Sequence, residues 1–315
     1  MRSNRGAPEN ISDPPWHLGS LSASSEAVAN PARRHPGNVP GPWFVDDTCI
    51  NCDASRQCAP WMFGEADDQA IVVRQPSSDA EAEDALRALL ACPTGSIGAE
   101  GVHIDPTGIF PQELAPGVYY TGFNSSKSYG ANAFFARRND GNVLVDSPRW
   151  TRHLVRRFEE LGGIEYVLLT HRDDVADAER YAAHFGARVF IHEADSDAAP
   201  FATDVLTGTD AARIDATLTA IPVPGHTRGS VVFHLDERYL FTGDSLAYSR
   251  ARKTLTAFRR QCWYSWEQQA QSLERLSPLS FEWVLPGHGD RKREDPVWMR
   301  EALLALVQRM KHGRG

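Results

Sequence analysis

No stretch of this 315-residue chain approaches the roughly 20 consecutive apolar residues a helix needs to cross a bilayer, and the N-terminal segment lacks the apolar core of a secretory signal. The cytoplasm is therefore the expected location. Positive charge is also scarce: 33 Lys and Arg stand against 41 Asp and Glu, a net charge of −8. The basic residues are mixed with acids, as in RRFEE (Arg156–Glu160), so neither nucleic acid nor a membrane is an expected partner. Five cysteines are too few and too clustered for a disulfide framework, and in a reducing compartment such clusters more often hold metal. No G-x-G-x-x-G follows a strand, so a flavin or nicotinamide fingerprint is missing. What remains is a composition of 42% hydrophobic and 23% charged residues, ordinary for a folded protein, in a chain about two domains long.

Residues 1–40 are rich in Pro, Ser, Asn, Gly and Arg without a sustained period, and are expected to form a flexible tail. Residues 41–104 form the first unit, with an apolar start (WFV), a Cys-rich loop, a strand at AIVV (Ala70–Val73) and a helix over 78–91. The Pro- and Gly-containing stretch 105–117 reads as a linker. Over 118–315 apolar strands alternate with helices, the last two expected at 266–276 and 296–311, and the strands repeatedly end in His or Asp.

Cys49, Cys52, Cys58 and Cys92 form C-x2-C-x5-C followed by a distant Cys-Pro. Four thiolates meet the needs of a cubane, because each iron requires one outside ligand and soft sulfur suits iron–sulfur centres. A zinc knot would want a paired second C-x2-C, which is missing. The segment 43–100 resembles single-cluster bacterial ferredoxins in DDTC (Asp46–Cys49), APWMF (Ala59–Phe63) and ACPTGSIG (Ala91–Gly98). The resemblance implies an α+β ferredoxin-like N-terminal domain with a 4Fe-4S cluster, or a 3Fe-4S one. Such ferredoxins run C-x2-C-x2-C, and the third position is Ser55 here. Either Cys58 serves as the third ligand after a local loop change, or the cluster is incomplete or Ser-ligated.

Four strand ends carry metal-type ligands in order: His171 after EYVLLT, His226 in PGHTRGS, Asp244 in FTGDS and His288 in LPGHG. Imidazole nitrogen and carboxylate oxygen suit zinc, iron or manganese, and loops at one rim of a sheet can converge on one ion. With GNVLVDSP (Gly141–Pro148), this pattern resembles the metallo-β-lactamase superfamily, which implies an αββα sandwich with one or two divalent metal ions at one edge. By that resemblance Asp244 matches the bridging carboxylate, His226 belongs to the first metal and His288 to the second. The family's H-x-H-x-D-H is His171-Arg172-Asp173-Asp174-Val175-Ala176 here. Asp173 thus stands for the second His, as a carboxylate does in the flavodiiron branch. Asp174 or Asp177 could complete the second site or stand as solvated acids at a helix start. THRDDVAD (Thr170–Asp177) and CWYSW (Cys262–Trp266) further resemble a group of fusions of a ferredoxin to a metallo-β-lactamase domain.

The expectation for function is a metal-dependent hydrolase of a thioester, lactone or other acyl substrate, a small molecule, with Asp173 or Asp177 positioning the attacking water. An iron-dependent oxidoreductase fed through the cluster by an external electron donor or acceptor is the second reading, and a non-catalytic redox sensor the third. Trp263, Tyr264 and Trp266 are candidates for an aromatic pocket beside the metal or for the core. Asp195, in IHEADSD, reads as a surface acid.

Overall fold

A computed structural model describes residues 29–102 and 105–313. Most of the expected tail lies outside the described residues, but from Ala29 onward the chain belongs to the first unit. Asn38 takes the place of a strand there: its side chain accepts from Val45 N–H (3.2 Å) and Val72 N–H (2.9 Å) and donates to the Val45 carbonyl (2.8 Å).

The first unit is small. Trp43–Val45 pairs antiparallel with Ile97–Ala99, and Phe63–Ala66 forms a hairpin with Gln69–Val72. Ala54–Cys58 is a short helix and Asp79–Ala91 a longer one, capped by the Ser78 hydroxyl, which accepts from Glu81 N–H. Val45, Met62, Val72, Ala85 and Ala88 fill its core.

The second unit is built on two sheets. One has seven strands in the order Asp204–Leu206, Arg188–His192, Tyr166–Leu168, Val143–Val145, Phe134–Ala136, Val118–Tyr120, Gln112–Ala115. The other has six: Ala212–Arg213, Leu218–Pro222, Val231–Leu235, Tyr239–Gly243, Trp283–Pro286, Lys292–Arg293. Strands of the second sheet are apolar on both sides. Ala220, Val231, Phe233, Phe241 and Leu285 face the first sheet's core, while Ile221, Val232, Leu240 and Val284 lie under Trp266–Glu274 and Pro296–Lys311. That alternation is what two packed layers require of a period-2 strand. Arg152–Glu160 and Ala178–Phe185 cover the other sheet through Leu154, Phe158 and Tyr181, completing an αββα sandwich.

The stretch expected as a linker is instead part of this unit. Ile109 and Phe110 are in its core and Gln112–Ala115 is its edge strand, because the apolar pair between the prolines gains more from burial than from solvent. The two units are also docked. Leu90 and Ala91 join the second unit's core, and the Arg149 guanidinium donates to the carbonyls of Leu90 (2.9 Å) and Cys92 (2.8 Å) at the end of the 79–91 helix, where the helix dipole favours a cation.

Candidate metal centre and cysteine cradle

The ligand-type residues sit where strands of the two sheets stop at one rim. His171 lies just beyond Tyr166–Leu168, Asp244 directly follows Tyr239–Gly243, His288 follows Trp283–Pro286, and His226 lies in the turn between Leu218–Pro222 and Val231–Leu235. Ligand atoms of His171, His226 and Asp244 lie within 4.8 Å of one another. The Nε2 atoms of both histidines and Oδ1 of Asp244 are buried without a hydrogen-bond partner. Asp244 Oδ2 stands 3.9 Å from His171 Nε2 and 3.7 Å from His226 Nε2, and buried polar atoms are nearly always satisfied, so two unsatisfied nitrogens facing one carboxylate fit a bound cation. Asp173 is half-exposed at the mouth, with Oδ2 3.5 Å from His226 Nε2 and 3.9 Å from His171 Nε2.

The rings are held from behind. Asp146, at the end of Val143–Val145, accepts from Thr170 N–H (2.8 Å) and its hydroxyl, and Thr170 Oγ1 lies 3.0 Å from His171 Nδ1. Gly243 (φ +47°) lets this pair approach: a Cβ there would lie 2.4 Å from Thr170 Oγ1. Asp195 is buried, not a surface acid. It accepts from Arg172 N–H (3.1 Å), the Thr227 hydroxyl (2.6 Å) and Gly229 N–H (3.2 Å), fastening the His171 and His226 loops to one carboxylate.

Burial pushes His171 down to about 4, so the ring is neutral and free to ligate. At His226 burial also acts to lower the pKa, but the nearby carboxylates of Asp173 and Asp244 outweigh it and raise it. The His226 ring, 3.5 Å away, holds Asp173 below the ordinary carboxylate range. Burial opposes ionisation of Asp244, yet the electrostatic pull of His288 first, and of His226, holds it low. Burial and the charge of Asp244 push Asp174 well above that range.

Two expectations change here. Asp177 does not reach the centre: it accepts from Lys127 Nζ (2.6 Å) and Trp150 N–H (2.7 Å), a structural tie ahead of the 178–185 helix. Asp174 is no solvated acid, being 1% exposed with Oδ2 unpartnered. A Cβ on Gly287 would lie 2.7 Å from both Asp174 Oδ2 and Asp244 Oδ1, so the absent side chain leaves room beside both oxygens. His288 is close enough to act electrostatically on Asp244 but is not in the converging set, and its ring packs near Tyr129 (6.3 Å between centroids).

In the first unit, Cys49, Cys52 and Cys92 line one cavity together with Ser55. Cys49 Sγ accepts from Asn51 and Ala70 N–H (3.4 Å each) and Cys92 Sγ from Ser96 N–H (3.3 Å), donors that suit thiolates bound to iron. Cys58 does not line the cavity. It is wedged between the two cores beside Tyr120 and Arg291, where burial pushes its thiol up to about 11.

A family model described as metallo-beta-lactamase superfamily matches residues 114–300. The chain belongs to that superfamily. A second model, the 4Fe-4S single cluster domain of Ferredoxin I, matches residues 45–99 of this superfamily member. Hydroxyacylglutathione hydrolase of Cereibacter sphaeroides is 35% identical over 151 residues, 46% of this chain and 56% of that protein. The lactamase-like protein aptB of Emericella nidulans is 30% identical over 186 residues, 55% of each chain. The chain thus spans about half the length of the curated relatives it matches. Among solved structures, a metallo-β-lactamase of Erythrobacter litoralis is 19% identical with a TM-score of 0.49, covering 62% of this chain and 95% of that one. For this superfamily member, Asp146 and Thr170 lie in strings the sequence singled out without giving them a role, and Asp195 carried no signal at all; the buried positions of their oxygens reveal what they do.

Proposed function

We propose that the chain is a metal-dependent hydrolase of a thioester or other acyl substrate, working with one divalent ion held by His171, His226 and Asp244 and completed at the mouth by Asp173. The carrying observation is the convergence of unpartnered, buried Nε2 atoms and a carboxylate on one point. A divalent ion there would polarise the acyl carbonyl and bring the pKa of a bound water toward about 7. The chain's own groups do the rest. The Asp146–Thr170 pair fixes the His171 ring; Asp173, ionised at neutral pH and half-exposed, faces the side from which substrate arrives and can accept a proton. Trp263 (66% exposed) and Tyr264 stand at the same mouth, their N–H groups donating to the His226 carbonyl, so CWYSW supplies a surface platform as well as a brace. Beside Tyr264 opens a groove of about 480 Å³, lined also by Arg228, Gln268 and Glu193, with room for a polar leaving group. Likeness to a hydroxyacylglutathione hydrolase supports a thioester.

The first unit holds an iron–sulfur cluster in this reading, and the full chain acts on a small molecule in the cytoplasm. Among the described residues no helix is long and apolar enough to cross a membrane. The test is anaerobic purification, metal analysis and thiol release from a panel of acyl-thioesters, a hydroxyacylglutathione included. Release that disappears with chelation and returns with one equivalent of metal supports the proposal. No release from any thioester, lactone or ester by fully loaded protein refutes it. Iron in the second unit with substrate-dependent reoxidation of a reduced cluster would favour the oxidoreductase instead.

A further inference from the structure

The cysteine spacing nominates Cys58 as third ligand, yet the cavity between the loop and Cys92 is lined by Cys49, Cys52, Cys92 and Ser55. Ser55 and Cys58 share the helix Ala54–Cys58, and three residues of helical rise move Cys58 about 4.5 Å further along the axis. That displacement carries it out of the cavity and against the second unit, where its surroundings are Arg291, Arg87, Asp84 and the Tyr120 hydroxyl. The other three sulfurs face one another and receive backbone donors: Asn51 and Ala70 on Cys49, Ala54 on Cys52, Ser96 on Cys92. Ser55 is buried, and its backbone is fixed by the Ala59 N–H that its carbonyl accepts (2.9 Å). Turning Cys58 inward would withdraw it from its packing against both cores.

We propose that the cluster is held by Cys49, Cys52, Cys92 and the Ser55 oxygen, so that one iron differs chemically from the other three. On binding, the Ser55 hydroxyl gives its proton to solvent and an Fe–O bond forms; no electron moves. An alkoxide is a harder donor than a thiolate, so this corner favours ferric iron and is the first to exchange. With ferricyanide as oxidant, a 4Fe-4S cluster of charge 2+ gives up one electron and releases the corner iron as Fe²⁺, leaving a 3Fe-4S cluster of charge 1+. Cys58 is left a packing thiol.

The inference rests on the reading that the first unit binds an iron–sulfur cluster, and the test separates the two. Full-length wild type, Ser55→Ala, Ser55→Cys, Cys58→Ala and Cys58→Ser are reconstituted anaerobically and compared by iron and sulfide content, Mössbauer spectra and EPR after ferricyanide. Wild type should show one iron distinct from three. Cys58→Ser, which keeps the volume, and Cys58→Ala should keep wild-type iron and spectra. Ser55→Ala should hold about one iron fewer in four as reconstituted and give the three-iron EPR signal on one-electron oxidation by ferricyanide with no further iron released, while Ser55→Cys should resist ferricyanide. Loss of iron in both Cys58 variants with Ser55→Ala unchanged overturns the assignment, as does a wild type identical to Ser55→Ala in every spectrum. No iron or sulfide in any variant overturns the cluster reading as well.

Discussion

Replacing Asp195 by alanine tests how the two histidine loops are held together. The carboxylate is 1% exposed and accepts from Arg172 N–H, the Thr227 hydroxyl and Gly229 N–H, donors that flank both His171 and His226. Each buried donor left without an acceptor costs about 1–3 kcal/mol. The space vacated by a carboxylate admits water, which returns part of that sum, so a net loss of about 3 kcal/mol is expected. At roughly 2–4 °C per kcal/mol for a unit of this size, the melting midpoint should fall by about 6–12 °C. Because Asp195 touches no ligand atom but sets the loops that carry two of them, metal affinity should also fall about 10–100-fold. Differential scanning calorimetry and competition with a chromophoric chelator measure the two losses on one preparation. An Asp195→Ala protein with wild-type melting and wild-type affinity would refute the reasoning, and would return Asp195 to the surface role its sequence suggests.

The remaining predictions concern the centre itself. Asp244→Ala removes a buried oxygen of the converging set and should strip the second unit of most of its metal and all hydrolysis, leaving the visible cluster spectrum unchanged; full metal retention by elemental analysis would show that this site is not used. Asp173→His replaces a carboxylate by a neutral imidazole and should raise zinc occupancy relative to iron, since the extra negative charge favours the harder ion; an unchanged metal ratio after growth in mixed metals would count against Asp173 as a ligand. Asp174→Asn should stabilise the metal-free protein at neutral pH. A folded-state pKa above the unfolded value means that the carboxyl costs stability once pH exceeds about 3.9, and that this cost vanishes on acidification. Melts with chelator should therefore show the variant above wild type at pH 7 and level with it near pH 4. Equal melts at pH 7 would place a counter-charge beside Asp174.

Much of this architecture was legible because its periods are strong. The Pro296–Lys311 helix begins where Asp295 and Pro296 announce it, and strands ending in His171, His226 and Asp244 needed only their order to be drawn to one rim. The misreadings share a cause, namely that polarity along the chain says little about depth. Asp195 and Asp174 are polar residues in polar strings, yet each is buried because a loop folds over it. Ile109 and Phe110 sat among prolines and glycines and were mistaken for connection. Cys58 lies outside the cavity that the other three cysteines line because spacing counts residues, whereas a helix spreads them along its axis: a thiol three positions on meets a different neighbour.

The docking of the two units has a practical consequence for how this protein is handled at the bench. Tyr129 donates its hydroxyl to the Ile50 carbonyl in the cysteine loop (2.5 Å) while its ring packs near His288. Its neighbour Gly130 has no side chain, and a Cβ there would fall 2.9 Å from Cys52 Sγ. Asn132 reaches Gln57 on one side and the Pro286 carbonyl on the other (3.0 and 3.2 Å). If the first unit holds the proposed cluster, a sample that bleaches in air loses more than colour, because the loop it loosens is the surface on which the rim bearing His288 is set. Rates taken from such a preparation, or from a gene cut between the two halves, describe a different molecule. The glovebox is part of the assay.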